Sequence, residues 1–218
     1  MRDEEASLDW RFSGALPELA KISLIELKRF HDEARRHFKR EIAEIEKEVA
    51  GIDAVDDEAQ DYLSCMYSQW EELFDLKQEF GIFGLFRMLE RILRLVLMHL
   101  REIGAPVTER VRFKEMAKQF KSIGVDLRAS PFEWEEITKL QKIRNQICHE
   151  ESWVDRKSKK DLASFGLCAK ENDWLRIPDE YFLEASNLVD RTCRLVVQGC
   201  LKAAASGKIP NVKADAKL

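Results

Sequence analysis

Residues 82–103 carry Ile82, Phe83, Leu85, Phe86, Leu89, Ile92, Leu93, Val96, Leu97, Leu100 and Ile103, which cover most sides of a helical wheel. A helix apolar on most sides has to be wrapped, either by protein or by lipid. Arg87, Glu90, Arg91, Arg94, His99, Arg101 and Glu102 interrupt the run, and hydrocarbon does not tolerate that many charges. The segment therefore predicts the central helix of a soluble bundle, and the rest of the chain has to supply the layer around it.

Other stretches have the periodicity to do so. From Pro17 to Gly51 the apolar positions Leu27, Phe30, Ala34, Phe38, Ile42, Ile45 and Val49 are spaced three or four apart. This predicts a long helix with a narrow, coiled-coil-like seam that caps the bundle lengthwise or pairs with another chain. A second helix follows Asp56-Asp57, and Gly81 with Gly84 is expected to loosen its join to the central one. A short helix is expected over 109–122. Ser130-Pro131-Phe132-Glu133 reads as a capped start, with the serine as cap, the proline at the first helical position and the glutamate closing a capping box. That helix should run to about Glu150. Arg156-Lys157-Ser158-Lys159-Lys160 reads as a solvated basic run, and Leu167 to Ile177 as a small hairpin around Glu171-Asn172-Asp173. Asp179 then caps a last amphipathic helix, and Gly207 to Leu218 is polar and expected to fray.

The expected fold is all-α: a bundle of five to six helices with a long N-terminal helix and one small β-hairpin near 167–177. Nine glycines and five prolines in 218 residues leave little room for a many-stranded alternative. Three segments follow: an N-terminal extension with the long helix (1–55), a helical domain (56–206) and a tail (207–218).

Within this frame one helix end stands out. Trp134, Ile137, Leu140, Ile143, Ile147 and Cys148 form an apolar arc at about 100° per residue, and Arg144 falls near its middle. A guanidinium keeps its proton, and burying it alone costs several kcal/mol. Arg144 therefore expects an anion, either a carboxylate of the protein or a phosphate from outside. Asn145 and His149 are four apart and share a face. Arg144 and His149 are about 140° apart, so a second copy across a two-fold axis would bring the two groups together more easily than one straight helix.

Arg144-Asn145, three residues, then His149, late in an all-helical domain, resembles the signature of the HEPN (higher eukaryotes and prokaryotes nucleotide-binding) domain family. The resemblance covers roughly residues 56–206 and leaves the first fifty without a counterpart. It implies a homodimeric, metal-independent endoribonuclease with RNA as substrate, in which Arg144 and His149 are catalytic and Asn145 supports them. It further implies a toxin or phage-defence effector held in check by a protein antitoxin or other regulatory partner. Some family toxins carry a tyrosine two residues after the histidine; Glu151 stands there in this chain. Glu150 and Glu151 are candidates to pair with Arg144 until RNA competes.

Chemically, the imidazole moves protons near neutral pH and the guanidinium stabilises charge developing on the phosphoryl oxygens. Further contacts to an RNA backbone are expected from Arg87, Arg91, Arg94 and Arg101, which lie within about 80° on the central helix, and from Lys157, Lys159 and Lys160. Each cation also has a plain reading as a solvated helix face paired with acids. The rival to the enzyme is a non-catalytic helical binding or assembly module with Arg144 in a structural ion pair. His31-Asp32 superficially matches the metal-binding pair of HD-type phosphohydrolases, but four histidines are too few for that site. No glycine-rich phosphate loop, zinc spacing or nucleophile elbow is present, so no cofactor or metal is expected. The net charge of −4 excludes a simple polybasic coat. The five cysteines are unpaired in spacing, and the charged start reads as no signal peptide, which points to a reducing cytoplasm and no membrane.

Overall fold

The structure, a computed structural model, describes residues 16–51, 57–149, 153–167 and 170–209, with backbone alone at 16–23 and 149. Its elements are α1 (Leu16–Val49), α2 (Asp57–Glu102), α3 (Phe113–Ser122), α4 (Trp134–His149), β1 (Trp153–Val154), α5 (Arg156–Ser164), β2 (Asp173–Trp174) and α6 (Asp179–Ala205). The fold is mostly helical, with a long first helix and a two-stranded antiparallel sheet, as the periodicity predicts.

α2 is the axis of the bundle. Ile82, Leu85, Leu89, Leu93, Val96 and Leu97 have no measurable exposure, and α1, α3, α4 and α6 all pack against this helix. No described helix is long and apolar enough to cross a membrane. α1 turns Leu24, His31 and Ile45 into the interior, with Phe38 half-buried between them. These residues are seven apart, the repeat of a coiled-coil seam. Phe30, expected in the seam, is 64% exposed, because the histidine beside it takes the inward position.

The expected join at Gly81 and Gly84 does not exist: α2 runs unbroken for 46 residues. The glycines are there for close approach. A Cβ on Gly81 would lie 2.8 Å from the ring of Phe182 on α6, and one on Gly84 would lie 3.5 Å from Leu27 on α1. Where the chain does turn out of a helix, the glycine has positive φ. Gly104 follows α2 at φ 87°, donating to the Arg101 carbonyl while Ala105 donates to that of Leu100. Gly124, Gly166 and Gly207 end α3, α5 and α6 in the same manner.

Several local expectations are corrected. Ser130 does not cap α4; it lies in a turn that the Phe132 N–H closes on the Ala129 carbonyl. The helix begins at Trp134, whose ring stacks on Phe113 at 5.1 Å, so burial of the indole sets the start. Glu133 pairs with Arg191 of α6 instead of closing a capping box. The basic run is solvated as expected, and it opens α5, capped by Asp155, which accepts from the Lys157 and Ser158 N–H groups. β2 lies in the segment expected to form a hairpin, with Asn172 at φ 60°, but its partner is β1. The pair Trp153 with Trp174 therefore brackets α5 rather than closing on itself. Asp179 is the first residue of α6, whose cap is Pro178. Beyond α6, Ile209 is buried in the core, so the chain stays docked past Gly207. Residues 210–218 lie outside the described residues.

The two glycines of α2 have opposite expected responses to alanine. Gly81→Ala should destabilise by about 1–3 kcal/mol, because the added Cβ would press on the edge of the Phe182 ring, which is buried and stacked on His31. Gly84→Ala meets only ordinary contacts and should gain up to about 1 kcal/mol of helix propensity. Denaturant midpoints of the two variants check the difference in sign.

Candidate functional site at the end of α4

Ile137, Leu140 and Ile143 bury themselves in the core, which fixes the rotation of α4 and turns Arg144 toward two phenylalanines of α2. The guanidinium carbon lies 5.4 Å from the ring centre of Phe83 and 5.7 Å from that of Phe86. The side chain is half-buried, and Nη1 donates to Asn145 Oδ1 at 2.9 Å. Nε is buried without a hydrogen-bond partner. Among the described residues no carboxylate pairs with Arg144. Its charge is met by two aromatic faces and one amide oxygen.

Arg144 and Asn145 are thus brought together. The expected apolar arc is shorter than the wheel suggests: Ile147 is half-buried and Cys148 exposed, while Gln146 is buried. Gln146 Nε2 donates to the Trp153 carbonyl at 2.5 Å, tying the end of α4 to β1. Lys142 Nζ stands 5.4 Å from the Phe165 ring centre and links the same helix to the end of α5. His149 is the last residue of α4, but its ring lies outside the described residues, as do Glu150 and Glu151.

The arginine stripe on α2 is largely neutralised. Glu90 takes Arg94 at 2.8 Å and Arg87 at 3.6 Å, and Glu109 takes Arg101 at 2.7 Å. The double contact to Arg101 holds the Glu109 carboxyl below its usual range. Arg91 alone of the four has no carboxylate partner among the described residues. Arg87, Arg91 and Arg94 of the stripe line an open groove of about 720 Å³, together with Leu27, Met88, Leu95 and Met98. Lys157, Lys159 and Lys160 are exposed on α5.

A second polar cluster, in which the sequence pointed only to His31 and to Asp179 as a cap, joins α1, α2 and α6. His31 is buried, stacks on Phe182 at 3.7 Å and shares a 2.7 Å hydrogen bond with Gln78 Oε1. Gln78 Nε2 donates to Asp179, which Arg35 also reaches at 2.6 Å and Lys77 at 3.7 Å. A signal was present: Gln78 and Lys77 fall on the interior side of a helix otherwise filled with apolar residues. Burial is the main force lowering the His31 pKa, helped by the Lys77 charge and opposed by the Gln78 hydrogen bond, Asp179 and Asp32. Burial lowers Lys77 as well. Among the described residues no three His, Cys, Asp or Glu side chains cluster to hold a metal ion. The exposed indoles of Trp153 and Trp174 are a further feature that the motif reading passed over.

No family model, curated protein or solved structure matches the chain.

Two measurements follow from these contacts. Arg144→Met strands no described carboxylate, so it should change unfolding free energy by only about 1 kcal/mol, whereas breaking a buried ion pair costs about 3–5 kcal/mol. For His31 the folded state favours neutral imidazole. As pH falls below about 6.5 the unfolded chain takes up the proton first, so stability should drop until the lowered folded pKa is passed. His31→Gln should flatten that dependence in denaturant titrations between about pH 5 and 7.

Proposed function

We propose that this chain is an endoribonuclease of HEPN type that works without a metal ion, using Arg144, Asn145 and His149 from two copies of α4. The observation that carries this reading is the state of Arg144: a permanent cation, half-buried between Phe83 and Phe86, with one amide partner and no described carboxylate. A guanidinium in that setting has donors left for a phosphate. In the proposed reaction the ribose 2′-hydroxyl gives its proton to solvent water and its oxygen bonds to the adjacent phosphorus. The bond from phosphorus to the 5′-oxygen breaks, and an imidazolium at His149 delivers a proton to that oxygen. The products are a 2′,3′-cyclic phosphate and a free 5′-hydroxyl. Arg144 offsets the extra negative charge on the phosphoryl oxygens during transfer. Because Arg144 and His149 diverge by about 140° on one helix, the partner copy supplies the complementary group.

The two aromatic faces on Arg144 also favour a second reading. Cation–π contact contributes roughly 0.5–2 kcal/mol, enough to make Arg144 a structural bridge between α4 and α2 in a non-catalytic assembly module.

Incubation with a structured RNA in EDTA separates the two. The proposed enzyme yields cyclic phosphate ends, and Arg144→Ala or His149→Ala reduces cleavage by at least about a hundredfold while leaving the fold intact. Equal inactivity of the wild type and both folded variants would establish the module instead, and sedimentation as a strict monomer would remove the shared site.

A further inference from the structure

We infer that Trp153 and Trp174 form a stacking platform for unpaired bases of single-stranded RNA, tied to the last turns of the helix that carries Arg144. This rests on the ribonuclease reading for the identity of the ligand, and it adds a binding site that the Arg-Asn-His motif does not contain. The two residues are directly opposite in the β1–β2 pair, with ring centres 5.5 Å apart and planes at 86°. A sheet of two residues per strand is marginal alone, and the edge contact between the indoles supports it. That role needs only the shared edge. Yet Trp153 stays 42% exposed and Trp174 55%, because an edge-to-face pair covers only one of the ring faces.

The position of the pair specifies the ligand. Gln146, two residues beyond Arg144, holds the Trp153 carbonyl, so the platform is fixed to the motif helix by a direct hydrogen bond. α5 begins two residues after β1 and presents Arg156, Lys157, Lys159 and Lys160 to solvent. None of these four is ion-paired among the described residues. Asp155 caps α5 and Asp173 accepts from the Trp174 N–H, and Asp161 in the second turn of α5 has no ion pair among the described residues. The α2 stripe is the contrast, with three of its four arginines already paired. Flat aromatic faces beside free cations are the elements of single-strand recognition, in which bases stack and phosphates meet ammonium and guanidinium groups. The near-perpendicular rings exclude a continuous base stack across both, so the strand has to turn between one base and the next. A duplex cannot do that without unpairing.

The test uses the full-length His149→Ala chain, so that cleavage does not complicate binding, and a labelled oligoadenylate of about 12 nucleotides. A blunt RNA duplex of equal length is the control. Anisotropy should show the single strand bound more tightly than the duplex. Trp153→Leu and Trp174→Leu, which keep apolar bulk but lose the flat face, should each weaken it roughly five- to 150-fold. Phe at either position should retain most of the affinity. Full affinity in folded Leu variants, no preference for the single strand, or no RNA binding at all would each overturn the platform. Should the Leu variants fail to fold, the double Phe variant decides: quenching of tryptophan emission by oligoadenylate has to vanish with both indoles gone, and quenching that persists refutes the assignment. Tryptophan-dependent binding by a chain that cleaves nothing would sink the nuclease reading while leaving the platform standing.

Discussion

The contact between Phe182 and the backbone of α2 at Gly81 holds three helices in one arrangement. The edge of the Phe182 ring comes within 2.8 Å of where a Cβ of residue 81 would be, and a face of that ring stacks on His31 of α1. His31 and Asp179 in turn meet at Gln78, which bonds both, while His31 Nδ1 and Lys77 Nζ stay buried without a hydrogen-bond partner. Leucine at these positions would bury more apolar area and leave α1 freer to slide along α2. A polar residue at one position of a heptad seam costs stability but selects a single register. With α1 and α6 fixed on one side of α2, the other side remains for α4, and there Phe83 and Phe86 meet Arg144.

Arg144 is stable in that position because its environment divides the cost of its charge. Complete desolvation of an unpaired guanidinium costs several kcal/mol, more than two cation–π contacts of about 1 kcal/mol each return. Half-burial settles the difference, since part of the group stays hydrated. The aromatic cradle orients the guanidinium, and no carboxylate among the described residues neutralises it. A cation held in this way is pre-organised for an anion and pays little to receive one.

Most of the architecture was legible because burial and periodicity coincide. The central helix, the long first helix and the last helix are all dictated by apolar spacing, and residue identity has little say beyond that. Failures occur where a residue serves a neighbour distant in sequence. Gly81 and Gly84 look like helix breakers locally, and only the approach of Phe182 and Leu27 shows why they lie inside a continuous helix. Ser130 and Glu133 satisfy a capping pattern, but Trp134 stacking on Phe113 and the Glu133–Arg191 pair outweigh a cap worth about 1 kcal/mol. β2 was visible as a short polar–aromatic stretch, but its partner across α5 was not, because two-residue strands carry no periodicity. For the site, the wheel marked Arg144 as a charge needing compensation but could not tell an acid from two aromatic rings. That choice depends on what α2 presents at 83 and 86.

Electrostatics separates two basic surfaces that look alike in sequence. A phosphate approaching the α2 stripe has to compete with Glu90 and Glu109, which already hold Arg87, Arg94 and Arg101. Each displacement exchanges one ion pair for another at solvent-exposed geometry, where a pair is worth about 1 kcal/mol or less. The cations at the start of α5 require no such exchange, because none of them is in an ion pair among the described residues, and Asp155 is bonded to α5 backbone N–H groups. The bonds to Ser158 and Lys157 also hold its carboxyl below the usual range, so it remains an acceptor for the helix start over the working pH range. A negative ligand therefore gains more at the α4–β1–α5 end of the molecule than along the longer and more conspicuous run of arginines. The same end carries Arg144 and both exposed tryptophans of the sheet.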